Sequence, residues 1–388
     1  MPLTTVQPVA SDEAAARSVA VSRLTLTDFR CFARVELATD ARPVVLTGPN
    51  GAGKTNLLEA LSLLTPGAGL RGARLGDLRR RGAASGARWA VAARVEGLRG
   101  AVAVGTGAAR AEGRRVVRID GRPVRGQAAL AEAVSALWLT PAMDRLFVDG
   151  AAVRRHFFDR LVLGFDPGHA ERLAAYERAL RARARLLRDG GGDGAWLAAL
   201  ESAMAGNGVA VAAARRAALR RLEPALVAGV GPFPGAEVAL EGAVEADLAA
   251  MPAVDAEARL AESLAASRAH DAHAGGAAHG PHRSDLRVRH RANGMPAAQC
   301  STGEQKALLI AIVLAAARAQ AAERGATPLL LLDEVAAHLD EDHRGALFEA
   351  VARIGAQAWL TGTDRGVFAA LGGRAQYFAL RGGRVWPG

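Results

Sequence analysis

One segment in the first sixth of the chain has the residue types and spacing that bind phosphate. It reads Gly48-Pro49-Asn50-Gly51-Ala52-Gly53-Lys54-Thr55, which fits the pattern G-x-x-x-x-G-K-[ST], and Asn56 is a further predicted contact. Glycines let successive backbone N–H groups face the phosphates of a nucleotide, in front of a helix N-terminus. Lys54 adds a positive charge, and the Thr55 hydroxyl is a predicted ligand of Mg²⁺. The segment therefore predicts a site for ATP and Mg²⁺.

Two adjacent acidic residues follow an apolar run in the last quarter of the chain. The run covers residues 329–332, which are all leucine, and it ends at Asp333 and Glu334. At the carboxyl end of a central strand, Asp333 would hold Mg²⁺ through water, and Glu334 would polarise the water that attacks the terminal phosphate. The alternative is a buried strand that ends in a solvated acidic turn. The presence of Lys54 elsewhere in the chain favours the catalytic interpretation.

A third segment, Ser301-Thr302-Gly303-Glu304-Gln305, precedes a predicted helix over residues 305–318. It resembles the signature loop of ABC-type ATPases, in which the Ser301 hydroxyl, the Gly303 N–H, Gln305 and the helix N-terminus contact an anion. Ser-x-x-Glu is also a capping box, and the two roles are compatible. In this class the contact is made to the nucleotide on another subunit, so the resemblance implies an ATP-bridged dimer. Lys306 follows directly and is also a predicted nucleotide contact.

The composition limits the location and the partners of the protein. The chain has 388 residues, a formal net charge of +10 and two cysteines. The positive charge predicts a polyanionic partner, with nucleic acid as the first choice, and the few cysteines fit a reducing cytoplasm. The sequence has no stretch of 18 apolar residues that would predict a transmembrane helix. Residues 1–20 lack the pattern of a signal peptide and are predicted as a disordered extension.

The segments around these residues predict an α/β fold, an ATPase head with an antiparallel β subdomain. Short apolar or alternating runs indicate strands, and the helix after the glycine-rich segment is the context that the phosphate-binding pattern requires. Asp120-Gly121 predicts a hairpin turn. The predicted strands are residues 22–29, 43–46, 88–95, 101–106, 115–119, 328–332 and 357–360, with a closing hairpin over 375–386 and a helix over 56–64.

The middle third of the chain has helical patterns and no nucleotide-binding pattern, so it is predicted as an inserted α-helical lobe. The predicted division is head over residues 21–145, lobe over 146–278 and head again over 279–388. Residues 265–282 are predicted as a loop of low complexity. That loop contains four histidines, and its glycine and alanine content favours a loose loop over a metal site. Trp196, in the lobe, is predicted to lie in the core.

Several blocks of residues resemble the RecF family of bacterial recombination-mediator ATPases. They extend over residues 21–364, almost the whole chain. The phosphate-binding blocks are common to related ATPases, whereas the blocks at residues 154–161 and 280–286 are specific to RecF. The blocks are Ser22-Arg23-Leu24-Thr25-Leu26-Thr27-Asp28-Phe29-Arg30-Cys31-Phe32, Lys54-Thr55-Asn56-Leu57-Leu58-Glu59-Ala60, Thr140-Pro141-Ala142-Met143-Asp144-Arg145-Leu146-Phe147, Arg154-Arg155-His156-Phe157-Phe158-Asp159-Arg160-Leu161 and Gly280-Pro281-His282-Arg283-Ser284-Asp285-Leu286.

The resemblance implies an SMC-like head without a long coiled coil. It implies ATP-dependent dimerisation on single-stranded, gapped or duplex DNA, with RecR and RecO as partners, in recombinational repair, replication restart and the SOS response to DNA damage. The chain departs from the wider ATPase pattern at two places. No Q-loop glutamine lies near residues 140–146, and the switch segment, residues 360–364, has no histidine. Weak, DNA-dependent ATP hydrolysis is therefore expected, with Thr361 and Thr363 as candidate phosphate contacts.

Two other classes of protein share parts of these patterns. An ATPase subunit of a membrane transporter would have a Q-loop glutamine, a switch histidine and a nearly neutral surface. A structural SMC-like protein would need heptad repeats sustained over many turns, and the middle segment is too short for them. The sequence favours the ATP-dependent DNA-binding protein.

Overall fold

The structure is a computed structural model that describes residues 17–97, 100–108, 115–190 and 193–388. Within these ranges the chain forms sixteen strands and ten α-helices, joined by turns and short 3₁₀ segments. The strands are β1 Arg17–Ser18, β2 Ala20–Phe29, β3 Phe32–Ala38, β4 Val44–Thr47, β5 Ala90–Gly97, β6 Gly100–Ala108, β7 Arg115–Ile119, β8 Arg122–Val124, β9 Ala136–Leu139, β10 Ala236–Glu241, β11 Asp285–His290, β12 Ala326–Thr327, β13 Leu329–Leu332, β14 Ala358–Gly362, β15 Gln376–Arg381 and β16 Arg384–Pro387.

The ten helices form the lobe and lie on the two sides of the head. They are α1 Lys54–Ser62, α2 Ala128–Ala133, α3 Ala151–Leu163, α4 His169–Arg188, α5 Gly194–Ala228, α6 Ala243–Ala250, α7 Ala253–Ala266, α8 Arg268–Ala274, α9 Thr302–Arg324 and α10 Glu341–Ile354.

A six-stranded sheet with the order β16-β15-β4-β14-β13-β9 forms the centre of the head. All of its neighbours pair in parallel except the closing hairpin of β15 and β16. Strands β4 and β13 flank β14, so the phosphate-binding loop after β4 and the acids after β13 leave the same edge of the sheet. This is where α/β proteins bind ligands. The sequence predicted three of these strands and the closing hairpin but missed β9, which is one of the edge strands.

The predicted antiparallel subdomain is confirmed. It is a second six-stranded sheet with the order β3-β2-β5-β6-β7-β8, and every neighbouring pair is antiparallel. The turn at Asp120 and Gly121 has positive φ angles of 49° and 77°, as a two-residue hairpin loop requires. Buried side chains of both sheets pack with Leu57, Leu58 and Leu61 of α1 into one core. The subdomain therefore fixes the helix that carries Lys54.

The second large core surrounds α9, and its side chains come from the central sheet, α3, α5 and α10. Helices α5 and α9 are long and apolar enough to cross a membrane by length and composition alone, with 44% and 72% of their most apolar windows buried inside the protein. Core helices of globular domains pass the same test. The packing of α9 in the head and of α5 across the head and lobe accounts for their apolar faces.

Three details of the predicted organisation were wrong. Residues 17–20 do not belong to an unstructured extension, because β1 pairs with β12 and Val19 and Ala20 are buried; residues 1–16 lie outside the described residues. Strand β10 lies inside the predicted lobe and pairs with β11 of the returning chain. The predicted loop over residues 265–282 begins with helical residues of α7 and α8. The boundaries at 146 and 278 stay predictions.

Two side-chain predictions in the lobe also differ from the structure. Trp196 is 60% exposed on the first turn of α5 rather than in the core. His282 is not on a loose loop, because its Nδ1 lies 2.6 Å from the hydroxyl of Tyr176. Among the described residues, no group of histidines, cysteines and acids has the arrangement of a metal site. Local composition did not reveal the contact of His282 because Tyr176 is 106 residues away in sequence.

Candidate nucleotide site

The phosphate-binding loop connects the end of β4 to the start of α1. Gly48, Gly51 and Gly53 have positive φ angles of 148°, 79° and 107°, which favour glycine. A Cβ on Gly48 would lie 2.3 Å from the Leu380 carbonyl oxygen, and one on Gly53 would lie 2.7 Å from the Cys31 Sγ. Backbone of this shape, followed by the N-terminus of α1, is what an anion site needs. The predicted loop residues, 48–55, are therefore brought together in one turn.

Lys54 is 4% exposed, and its ammonium group lies across the loop. The Nζ donates to the carbonyl oxygens of Gly48, at 2.7 Å, and Pro49, at 3.2 Å. It also lies 3.9 Å from Oε1 of Glu334. One buried cation thus lies between the loop and the predicted catalytic acid, where charge on a terminal phosphate would develop.

Asp333 lies at the end of β13 and accepts two hydrogen bonds. The Thr55 hydroxyl donates to its Oδ1 at 3.0 Å, and the Thr361 hydroxyl donates to the same oxygen at 2.8 Å. Burial raises the pKa of the Asp333 carboxyl above its ordinary value, and the two hydroxyl donors oppose that rise. A carboxylate and a hydroxyl oxygen are the hard donors that Mg²⁺ prefers, so this pair fits the predicted metal site.

Glu334 has the left-handed backbone conformation, with a φ angle of 54°. Its N–H donates to the Thr361 hydroxyl at 2.8 Å, and its side chain is 33% exposed. Left-handed backbone is uncommon outside glycine, and it persists where the surrounding structure enforces it, often at functional sites. The turn places the carboxylate of Glu334 beside Lys54 rather than back along β13.

Thr361 positions both acids, because its hydroxyl donates to Asp333 and accepts from the Glu334 backbone. The residue is 1% exposed. The sequence suggested Thr361 only as a possible phosphate contact, and the signal that it lacked was the pairing of β13 with β14. Thr363, the other candidate, is exposed beyond the end of β14.

Replacing Thr361 with valine is expected to lower the free energy of unfolding by about 1–2 kcal/mol, because a buried carboxylate loses a donor while the shape stays. The Mg²⁺ concentration needed for half-maximal ATP binding is expected to rise as Asp333 loses its orientation. Urea unfolding and a Mg²⁺ titration measure the two effects. Thr363→Val is the matched control on the exposed side of the same segment. Equal results for the two variants would contradict the positioning role.

The Ser301 turn forms a complete capping box at the start of α9. Ser301 Oγ accepts from the Glu304 N–H at 3.3 Å, and the Glu304 carboxylate accepts from the Ser301 N–H at 2.8 Å. Both Ser301 and Gly303 are exposed. Within the described part of the chain, the hydrogen bonds of the Ser301 side chain are all to Glu304. The turn thus leaves the helix N-terminus open to another molecule.

Three predicted nucleotide contacts have other partners in the structure. Gln305 is buried and its amide donates to the Cys300 carbonyl at 2.9 Å, so the side chain holds the turn. Lys306 pairs with Asp144 at 3.3 Å. The Asn56 amide donates to Cys31 Sγ at 3.1 Å, and its oxygen accepts from Arg71. These protein partners fix the three side chains in the structure, and their contact with a nucleotide stays a prediction.

Arg30 follows β2 and packs against α1. Its guanidinium makes two hydrogen bonds, at 2.7 and 2.6 Å, with the fully buried carboxylate of Glu59. The hydrogen bonds that Arg30 donates to Glu59 raise the pKa of the guanidinium above its ordinary value. A buried carboxylate on α1 needs such a partner. The pair holds the end of β2 against the helix that begins at Lys54.

The two RecF-specific blocks meet in space although more than 100 residues separate them in sequence. Arg154 donates to Asp285 at 2.7 Å, and Arg155 donates to the Ser284 carbonyl at 2.6 Å. Asp159 accepts from Arg215 of α5 at 2.7 and 2.8 Å. Although burial acts in the opposite direction, the donors Arg215 and His169 lower the pKa of Asp159 to about 2. These ion pairs join α3, α5 and the start of β11.

Comparisons with known proteins agree with this geometry. Residues 20–371 match the family model described as the RecF/RecN/SMC N terminal domain. The chain is 50% identical over 372 residues to the DNA replication and repair protein RecF of Mesorhizobium japonicum, covering 95% of this chain and 97% of that protein. It is also 50% identical over 374 residues to the protein of the same name from Rhizobium etli, covering 95% and 99%.

Solved structures show the same fold at lower identity. The recombination mediator protein RecF with ATP has a TM-score of 0.82 at 21% identity, covering 97% of this chain and 99% of that one. An SMC head bound to the winged-helix domain of ScpA has a TM-score of 0.54 at 14% identity, covering 94% and 95%. The predicted α/β head with an antiparallel subdomain and a helical insertion is confirmed, and the chain belongs to the RecF family.

Proposed function

We propose that this RecF-family protein is an ATP-dependent DNA-binding protein of DNA replication and recombinational repair, in which ATP joins two copies on DNA. One observation carries the proposal. A single copy assembles the phosphate-binding loop, Asp333 and Glu334, whereas Ser301 is exposed and, among the described residues, its side chain makes hydrogen bonds only with Glu304. Each copy therefore offers another copy one half of a nucleotide site. Relatives named DNA replication and repair protein RecF supply the biological setting.

Different residues of the site would bind ATP and promote its hydrolysis. The loop N–H groups and Lys54 would neutralise the phosphates, and Thr55 with Asp333 would hold Mg²⁺, which neutralises phosphate charge when bound. Glu334 would accept a hydrogen bond from the attacking water and orient it towards the terminal phosphate. Residues 360–364 contain no histidine to assist. We infer slow hydrolysis, which opens the dimer and releases DNA.

Positive charge beside the nucleotide site suits a nucleic acid. A cleft of about 810 Å³ next to the phosphate-binding loop is lined by five arginines. Three of them have acidic partners, because Arg30 and Arg71 pair with Glu59 and Arg80 pairs with Asp28. Arg79 and Arg81 have no carboxylate within ion-pair distance among the described residues. Guanidinium groups without acidic partners favour phosphate contacts, which bind DNA without reading its sequence.

DNA affinity is expected to be higher with ATP than without it, to fall steeply with salt and to depend little on sequence. Each phosphate contact that is lost should reduce the slope of log affinity against log salt by about 0.9. Replacing both Arg79 and Arg81 with alanine should therefore flatten the slope, whereas replacing the exposed lobe residues Arg178 and Arg220 should not. Fluorescence anisotropy on single-stranded, gapped and duplex DNA measures this. ATP-independent affinity, or preference for one duplex sequence, would contradict the proposal.

Ser301→Arg is expected to abolish the ATP-induced dimer while ATP binding by the monomer stays within about threefold of the wild type. The reason is that a bulky cation would replace a small hydroxyl that faces the phosphate of another copy. Sedimentation with and without ATP measures the change.

Two controls separate this role from capping. Ser301→Ala loses only the cap, which costs about 1 kcal/mol of stability. Ser202→Arg places the same cation on the exposed surface of α5. If Ser301→Arg melts earlier but still forms a dimer with ATP, the turn is only a helix cap.

Other parts of the proposal come from the family alone. They are RecR and RecO as partners, single-strand gaps as the target, a weak DNA-dependent ATPase activity and a cytoplasmic location. A solved structure of RecF with ATP is described as belonging to the RecFOR pathway. The family membership gives no support to the transporter alternative. An SMC-like structural role would need a long coiled coil, and the longest described helix, α5, has 35 residues.

A further inference from the structure

A second cavity, of about 180 Å³, lies between the head and the first helices of the lobe. Its walls come from residues 66–69, from Trp138 of β9, and from α3 and α4. The first wall begins four residues after α1 ends, so the whole length of α1, about 13 Å for nine residues, separates the cavity from Lys54. No step of the proposed nucleotide chemistry uses this cavity.

Arg160 of α3 is the feature that distinguishes the cavity. It is 7% exposed, and its guanidinium lies 4.3 Å from the centre of the Trp138 ring. Its hydrogen bonds to the Trp138 carbonyl and the Met143 sulfur are long, at 3.4 and 3.8 Å. Among the described residues, no carboxylate lies within ion-pair distance of Arg160, because its neighbour Asp159 is held by Arg215 and His169.

The rings of Trp138 and Phe157 face this buried cation at 4.3 and 5.3 Å, but it has no acidic partner in the described part of the chain. Burial without an acidic partner lowers the pKa of the Arg160 guanidinium to about 9, so the group is still charged at neutral pH. An unpaired charge away from water costs several kcal/mol unless an anion accompanies it. Glu177 lines the mouth of the cavity, but its side chain is half exposed and pairs with Arg181 at 3.4 Å. A small adjoining cavity is lined by Arg160 and Arg324, which adds positive charge.

Other nitrogen atoms around the cavity also have no partner. Within the described residues, the buried Nε of Arg160, Nε1 of Trp138 and Nδ1 of His169 make no hydrogen bond. Buried polar atoms in native proteins are almost always satisfied. His169 is the first residue of α4, a helix of 20 residues whose N-terminus adds a partial positive charge. Arg160 Nε and Trp138 Nε1 carry N–H groups, so two unsatisfied donors around one cavity with a positive helix end indicate a missing acceptor. His169 Nδ1 does not add to them, because its Nε2 faces Asp159 at 2.9 Å and the other nitrogen of a neutral imidazole is an acceptor.

We propose that this cavity binds a carboxylate carried on a small apolar group. The carboxylate accepts from Arg160 and Trp138, and the apolar group fills the space beside Leu163, Leu173 and the alanines of α4. One uncompensated guanidinium balances one negative charge. A phosphate dianion would bring a second charge into walls that are mostly apolar, where its desolvation is costly. A monocarboxylate is therefore the class of ligand that the charge and the walls fit.

Isothermal titration of the full chain with benzoate tests the proposal, and benzamide is the neutral ligand of the same shape. Benzoate should bind at least about tenfold more tightly than benzamide, and Arg160→Met should remove that difference. Arg178→Met, on the exposed face of α4, should bind benzoate like the wild type. Inorganic phosphate should bind more weakly than benzoate. Lys54→Met should leave benzoate binding unchanged, which separates this site from the nucleotide site.

A second variant keeps the test valid if Arg160→Met does not fold. Ala174→Phe fills the cavity from α4 and leaves Arg160 in place, and it should also abolish benzoate binding. N-acetylphenylalanine distinguishes two sources of the carboxylate. If it binds more tightly than benzoate, the ligand is the C-terminus of a peptide, and if it binds more weakly, the ligand is a free acid. Either result supports the site. The proposal is overturned by equal binding of benzoate and benzamide, by wild-type binding in both variants, or by no binding up to about 50 mM benzoate.

Discussion

Lys54→Met is expected to lower the affinity for ATP about 100-fold or more, equivalent to roughly 2.7 kcal/mol or above. The buried ammonium group lies over the loop and is within 4 Å of Glu334, so its charge is placed where the loop would hold the phosphates. A charged hydrogen bond contributes about 1.5–3 kcal/mol, and one lysine can make more than one to a triphosphate. ATP-dependent DNA binding should be lost together with ATP binding. Titration with a fluorescent ATP analogue measures the change.

The chain offers a matched control, because it has a single further lysine. Lys306 is also largely buried and pairs with Asp144, so Lys306→Met removes the same charge from a side chain outside the cradle. That variant should bind ATP with nearly wild-type affinity, although it should be less stable. If both lysine variants bound ATP equally well, the assignment of the phosphate-binding loop would be wrong.

Glu334→Gln is expected to slow ATP hydrolysis about 100-fold, or about 2.7 kcal/mol in the barrier, while ATP affinity changes little. The amide keeps the shape of the side chain but polarises water far less than a carboxylate. If hydrolysis opens the dimer, ATP should hold the variant in a dimer that the wild type forms only transiently. Steady-state phosphate release and light scattering at saturating ATP and Mg²⁺ measure the two effects.

The control for this variant is Glu341→Gln, which changes an exposed acid in the first turn of α10. Its turnover and oligomeric state should be those of the wild type. If Glu334→Gln hydrolysed ATP at the wild-type rate, the assignment of Glu334 as the catalytic acid would be wrong. A variant that stays monomeric with ATP would instead show that nucleotide binding does not close a dimer.

The sequence alone determined the features that depend on local spacing. The phosphate-binding loop needs glycines at fixed positions before Lys54, and the structure shows Gly48 and Gly53 with backbone angles that favour glycine. The leucine run before Asp333 identified the central strand, and alternating residues identified the antiparallel sheet. Capping at Ser301 was also predictable, because a capping box lies within four residues. Each of these is a short-range pattern that the backbone must satisfy wherever the segment lies.

Only the tertiary structure decided the contacts between distant segments. The two acids are positioned by Thr361, which lies beyond α10, because β14 pairs with β13. Gln305 and Lys306 follow the signature turn in sequence, but packing around α9 gives them protein partners. Gln305 donates to the Cys300 carbonyl, and Lys306 pairs with Asp144. In the sequence, Arg160 is one of several charged residues in the block at 154–161. Only the packing of α3 against β9 shows that its guanidinium is buried with no carboxylate in ion-pair distance among the described residues. Such pairings depend on which elements meet, and local spacing carries no information about that.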